Sequence, residues 1–127
     1  TSNMVHQASK IADEAERNSF LDWLWDLEFV KLGLPVPDMV IFLDVPPEIS
    51  NNLITKRNNK ITGGSQKDIH ERDREYLMKT YLNACRVAEK YGWKRIECTY
   101  DNCLRSIEDI NNEIYEYVSK NLMQEVK

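Results

Sequence analysis

The chain has 127 residues, of which 42% are apolar and 30% charged, with a formal charge of −4 at pH 7. That is one small domain of globular composition, not a disordered chain. The acidic balance, with a pI near 5.2, speaks against bulk electrostatic binding to nucleic acid. No apolar run approaches the roughly 18 residues that span a bilayer, so no membrane partner is expected.

Ser2 to Ala15 reads as helix, being free of Gly and Pro and rich in Ala, Met, Gln, Lys and Glu. Asn18 can cap a second helix that runs through FLDWLWDLEFVKLG and ends at Gly33. That helix is apolar on most sides, including Trp23 and Trp25, and needs more cover than the chain obviously supplies. After the Pro-punctuated LPVPD comes MVIFLDV, Met39 to Val45, which fits a strand buried on both faces of a parallel sheet. Pro46 and Pro47 open a short helix, PPEISNNLITKR. A polar loop, NNKITGGSQK, leads into a long helix from about Asp68 to Tyr91. Its stripe is Tyr76, Leu77, Thr80, Tyr81, Ala84, Ala88 and Tyr91, and Gly92 stops it. WKRIECT is a second short strand. Ser106 caps the last helix, with Asp109 in its first turn and Ile107, Ile110, Ile114, Val118 and Leu122 on one face.

Strands joined through helices pair in parallel, so the expected fold is a layered α/β sheet. Two strands cannot by themselves cover MVIFLDV, and the sheet is expected to be completed from outside this chain. The opening TSNMVHQASK has no initiator Met and is not a secretory signal, so the chain reads as processed or cut. Cys85, Cys98 and Cys103 are an odd number without metal-ligand spacing, which reads as reduced thiols of a cytoplasmic protein without structural zinc.

Three groups of residues could carry chemistry. Ser2, Asn3, His6 and Gln7 form the first, with Asn3 and Gln7 one helical turn apart. Carboxamides at that spacing can meet the donor–acceptor edge of a base, although the same residues also suit a solvated polar face. The second is KRNNKITGGSQKDIHERDRE, whose cations around Gly63 and Gly64 suit a lid over polyphosphate. A salt-bridged, solvent-facing helix accounts for it equally well. Asp68 and Glu71 within it could hold a hydrated cation or simply favour a helix N-terminus. The third is Asp44 at the end of MVIFLDV, where open α/β sheets bind ligands; before Pro-Pro it reads better as a structural helix-entry residue. No G-x-x-x-x-G-K-[ST] phosphate loop occurs in the chain.

SNMVHQASK, LPVPDMVIFLDVPPE, KITGGSQKDIHERDREYL and RSIEDI, in this order and spacing, resemble the C-terminal part of a bacterial-type thymidylate kinase from Ser2 to about Leu122. The resemblance implies a P-loop nucleoside monophosphate kinase fold of three layers with a parallel sheet, here without its N-terminal strands and P-loop. It implies transfer of the γ-phosphoryl of ATP to dTMP with Mg²⁺, giving dTDP for dTTP synthesis, usually by a homodimer. Ser2, Asn3 and Gln7 fall where the family recognises thymine, and His6 where an aromatic residue commonly lies against the sugar. Arg57 matches the lid residue that reaches the phosphates, with Lys60 in support. Asp68, His70 and Glu71 match an acidic-aromatic-acidic cluster near the nucleotide and the waters of its metal, His70 replacing the commoner Tyr; no direct metal ligand is implied.

The 127 residues are accordingly expected to be one incomplete domain. Residues 1–32 hold the thymidine-site helix and the apolar helix, 38–57 a strand and helix, 58–71 the lid, and 72–127 the long helix, last strand and C-terminal helix. The N-terminal part of the same protein is the implied partner, and without it the chain is expected to be inactive, since phosphoryl transfer depends on the missing positioning groups. Two other readings remain open: a non-catalytic interaction module built on this fold, and a different nucleoside monophosphate kinase.

Overall fold

The computed structural model describes residues 1–56 and 74–122. Its N-terminal stretch is not one helix. Helix α1 covers Ser2–His6 and gives way to a single 3₁₀ turn, Ala8–Lys10. The chain then extends at Ile11, and α2 starts at Glu14 and runs to Trp25. The cap is Asp13, not Asn18: its carboxylate accepts the Glu16 N–H at 2.8 Å. A carboxylate in that place satisfies an otherwise orphaned helix donor, and it does so five residues before the expected cap. Arg17 secures the break by donating from Nη1 to the carbonyls of Ile11 and Ala12 at 3.0 and 3.4 Å.

Past Trp25 the helix widens to π geometry over Asp26–Lys31, with the Leu32 N–H reaching the Leu27 carbonyl five residues back. Gly33, at φ +65°, ends it as expected. Strand β1 is Ile41–Asp44 and helix α3 is Pro47–Lys56. Helix α4 is described over Arg74–Lys90, and the residues from 68 to 73 in its expected first turns lie outside the described ones. Its end has the two bonds of a left-handed C-cap: Trp93 N–H to the Ala88 carbonyl and Gly92 N–H to that of Glu89, with Gly92 at φ +64°.

Strand β2, Lys94–Glu97, pairs with β1 in parallel, Ile41 opposite Lys94 and Asp44 opposite Glu97. The parallel order is as expected. Two strands do not by themselves cover β1, also as expected: Leu43 is 51% exposed, and of the β1 side chains Asp44 alone is fully buried. Among the described residues only β2 pairs with β1. A two-residue hairpin, β3 Thr99–Tyr100 and β4 Cys103–Leu104, follows; the sequence reading missed it. Asp101 and Asn102 turn it with positive φ, 49° and 59°, the backbone that a tight hairpin requires and that Asp and Asn tolerate.

Helix α5, Ile107–Leu122, is capped by Ser106, whose Oγ accepts the Asp109 N–H at 3.1 Å. Ile110, Ile114 and Val118 are half-buried, but Ile107 in the first turn is 84% exposed and leaves the expected apolar face. Arg105 ties hairpin to helix, donating to the Glu97 carbonyl and to the carboxylates of Asp109 and Glu113.

The core joins α1 to α2 and α4. Met4, Ala8, Leu21, Leu24 and Val87 are buried together, with Phe20, Trp25, Phe29, Tyr91 and Trp93 packed around them. Burying each large side chain of this kind contributes about 1.5–3 kcal/mol. Trp25 stacks on Tyr91 at 5.2 Å with the rings nearly parallel, whereas Trp23 is half exposed. The paired tryptophans of the sequence therefore play different parts. All three cysteines are free thiols, and burial pushes the Cys98 thiol up.

Candidate functional site

The α1 face is set by its anchors. Met4 and Ala8 point into the core, which turns Asn3 and Gln7, each four residues apart and one step earlier, outward. Ser2, Asn3, His6 and Gln7 are all exposed. Asn3 Nδ2 lies 3.5 Å from Glu28 Oε1, and Gln7 Oε1 accepts from Lys10 Nζ at 2.9 Å. The free edges of both carboxamides face solvent, with donors and acceptors on one side of a short helix.

Helix α4 carries this face. The Tyr76 hydroxyl is 3.5 Å from His6 Nδ1, Thr80 Oγ1 is 3.3 Å from Ser9 Oγ, and Asn83 Nδ2 donates to the carbonyls of Met4 and Val5 at 3.0 and 2.7 Å. Thr80 belongs to the expected stripe, but the buried side of α4 also includes Asn83 and Val87, which the sequence reading passed over. A lone carboxamide three residues after Thr80, in line with the buried Thr80, Ala84 and Ala88, was the available signal. A cleft of about 280 Å³ lies beside these contacts, lined by Ser9, Lys10, Ala12, Glu75, Tyr76 and Lys79.

At the carboxyl end of β1, Asp44 is 4% exposed. Alternate strand residues share a face, so Arg95, two before the Asp44 partner Glu97, reaches across diagonally. Its Nε and Nη2 both lie 2.5 Å from Asp44 Oδ2. Asp44 Oδ1 is buried without a hydrogen-bond partner among the described residues. Burial first, then the Asp44 carboxylate beside it, push the Tyr81 phenol up from 10.0 to about 12.

A phenol raised in the folded state stabilises it fully below the unfolded value and loses that contribution as pH rises through the folded one. The protein should therefore lose stability between pH 10.0 and about 12. Tyr81→Phe should remove that share of the loss, read as urea midpoints at about pH 9 and about pH 11.5. Tyr91, also pushed up chiefly by burial, is present in both proteins and cancels. Parallel losses in the two proteins would exclude the role of Tyr81.

Arg57, Lys60, Asp68, His70 and Glu71 lie outside the described residues. Among the described residues, no three His, Cys, Asp or Glu side chains gather where they could hold a metal ion. No described helix is long and apolar enough to cross a membrane.

A parallel strand pair with helices packed about it is a mixed α/β arrangement consistent with a kinase-like fold. The proteins it resembles are thymidylate kinases. A probable thymidylate kinase of Thermococcus onnurineus is 31% identical over 116 residues, covering 91% of this chain and 50% of its own length. Thymidylate kinases from two strains of Mycobacterium tuberculosis are each 29% identical over 92 residues, 72% of this chain and 42% of theirs. The chain therefore spans about half the length of the curated relatives it matches, and it is similar to part of a thymidylate kinase. No family model matches the chain. No solved structure matches it either.

Proposed function

We propose that the chain is the C-terminal part of a thymidylate kinase, one incomplete domain whose complete form moves the γ-phosphoryl of ATP to dTMP and yields dTDP. The observation that carries this reading is the similarity to thymidylate kinases over 72–91% of the chain. In this reading Asn3 and Gln7 read the thymine edge, Ser2 assists them, and His6 lies against the sugar. Arg57 and Lys60 meet the phosphates, while Asp68, His70 and Glu71 stand near the nucleotide and the waters of Mg²⁺. The phosphate-cradling loop, absent from these 127 residues, comes from the N-terminal part of the protein. The complete enzyme is a cytoplasmic homodimer.

The test is made on the protein expressed from its complete reading frame, assayed for dTDP formed from dTMP and ATP. Asn3→Ala and Gln7→Ala should each weaken dTMP binding far more than ATP binding. Each leaves a base-edge group unpaired in a closed pocket, at a cost of about 1–3 kcal/mol. Titration calorimetry with both nucleotides reads the difference. Unchanged dTMP affinity in both variants would return the α1 face to solvent, and phosphorylation of another nucleoside monophosphate in preference to dTMP would move the protein to a sister kinase.

A further inference from the structure

Helix α1 has five residues, too few to hold its own shape or its roll about its axis. The last four carbonyls of any helix lack partners within it, and two of those in α1, from Met4 and Val5, are taken by one side chain. Asn83 Nδ2 donates to both, at 3.0 and 2.7 Å, so both N–H groups of a single amide are used. Asn83 is 2% exposed. Its amide works where water cannot replace it, and loss of a buried donor leaves two carbonyls unpaired. One turn further along α4, Val87 packs in the same cluster as Met4 and Ala8. The apolar contact fixes how deeply α1 sits; the two directional bonds fix its roll. Asn3 and Gln7 stand beside the anchored row, so a change of roll carries their carboxamide edges away from any base they meet.

We infer that Asn83 is a positioning residue for nucleobase recognition: buried on α4 and remote from the ligand, it sets the orientation of the Asn3 and Gln7 face. The inference rests on the thymidylate-kinase reading for the identity of the base. The clamp itself is independent of that reading. Asn83 touches no substrate, and its effect passes through the α1 backbone.

The experiment uses the protein from its complete reading frame, first unsubstituted, then as Asn83→Ala and Asn83→Ser, with Ile96→Val as a control for stability lost elsewhere. Ile96 is wholly buried in β2 and outside the cluster around Met4. Asn83→Ala should raise the Kd for dTMP about 10-fold or more, the scale of a lost buried hydrogen bond, and leave the Kd for ATP unchanged. It should also narrow the kcat/KM preference for dTMP over dUMP. Asn83→Ser, which keeps one donor on a shorter stem, should fall between. The Ile96→Val control should lower Tm without changing the ratio of the two Kd values. Amide hydrogen exchange should quicken at residues 2–7 in Asn83→Ala and not in the control, a readout that needs no ligand and survives partial destabilisation. Equal weakening of dTMP and ATP, or unchanged exchange at residues 2–7, overturns the positioning role. An unsubstituted protein that binds no dTMP overturns the kinase reading and the role in base recognition with it, and the exchange data then decide the clamp alone.

Discussion

Arg95→Ala should lower the unfolding free energy by about 3 kcal/mol, near the lower end of what breaking a buried ion pair costs. The reason is Asp44. Its side chain is 5% exposed, and one of its oxygens is already without a partner among the described residues. Removal of the guanidinium leaves the buried carboxylate without its counter-charge, beside the Tyr81 phenol that it pushes up. Arg95 is itself half exposed and regains water when the pair breaks, which holds the loss to the lower end of the range. Asp44→Asn should cost less than Arg95→Ala, because a neutral amide needs no counter-charge. The double variant should recover part of the loss, giving a coupling energy of about 1–3 kcal/mol in a double-mutant cycle. Urea unfolding of the four proteins at neutral pH measures all of this. A loss below about 1 kcal/mol in Arg95→Ala, the scale of a surface pair, would show that Asp44 is hydrated in solution.

The same pair shows what the sequence discloses and what it withholds. Asp44 was legible as a residue at the ligand edge of a strand, with a structural role favoured, because strand ends and Pro-Pro signals are local. Its partner was not, since Arg95 meets it only through the parallel register of β1 and β2. Local chemistry also gave the stops at Gly33 and Gly92 and the cap at Ser106, each a matter of one residue and its neighbours. The start of α2 was misplaced because two residues, Asp13 and Asn18, could both cap. The choice fell to Arg17, whose guanidinium binds the Ile11 and Ala12 carbonyls and stabilises the earlier break. The β3–β4 hairpin carries a local signal, Asp-Asn between Thr99-Tyr100 and Cys103-Leu104, but strands of two residues give periodicity nothing to act on. On the candidate site, Asn3 and Gln7 were legible from their spacing of four. Asn83 was hidden, because a helical stripe read for apolar residues passes over a carboxamide whose partners lie 78 and 79 positions away.

In the proposed complete kinase, Arg57→Ala should lower turnover by roughly 10³-fold or more, the scale of an arginine supplied to phosphoryl transfer. The expectation begins with β1, whose carboxyl end is the ligand edge of an open α/β sheet. From there Pro46 leads into α3, which carries the chain from Pro47 to Lys56, and Arg57 is the next residue. In the proposed kinase its planar fork meets charge that develops on the transferring phosphoryl, so its contribution belongs to the transition state more than to ground-state binding. Turnover should therefore fall while the Kd for dTMP changes little. Arg57→Lys should restore only part of the rate, because an ammonium offers a point charge where two oxygens must be held at once. Rapid-quench measurement of the phosphoryl-transfer step separates this from slow product release. Near-normal turnover in Arg57→Ala, or a defect confined to dTMP affinity, would move the role to Lys60 or Lys67, the other cations of the same segment.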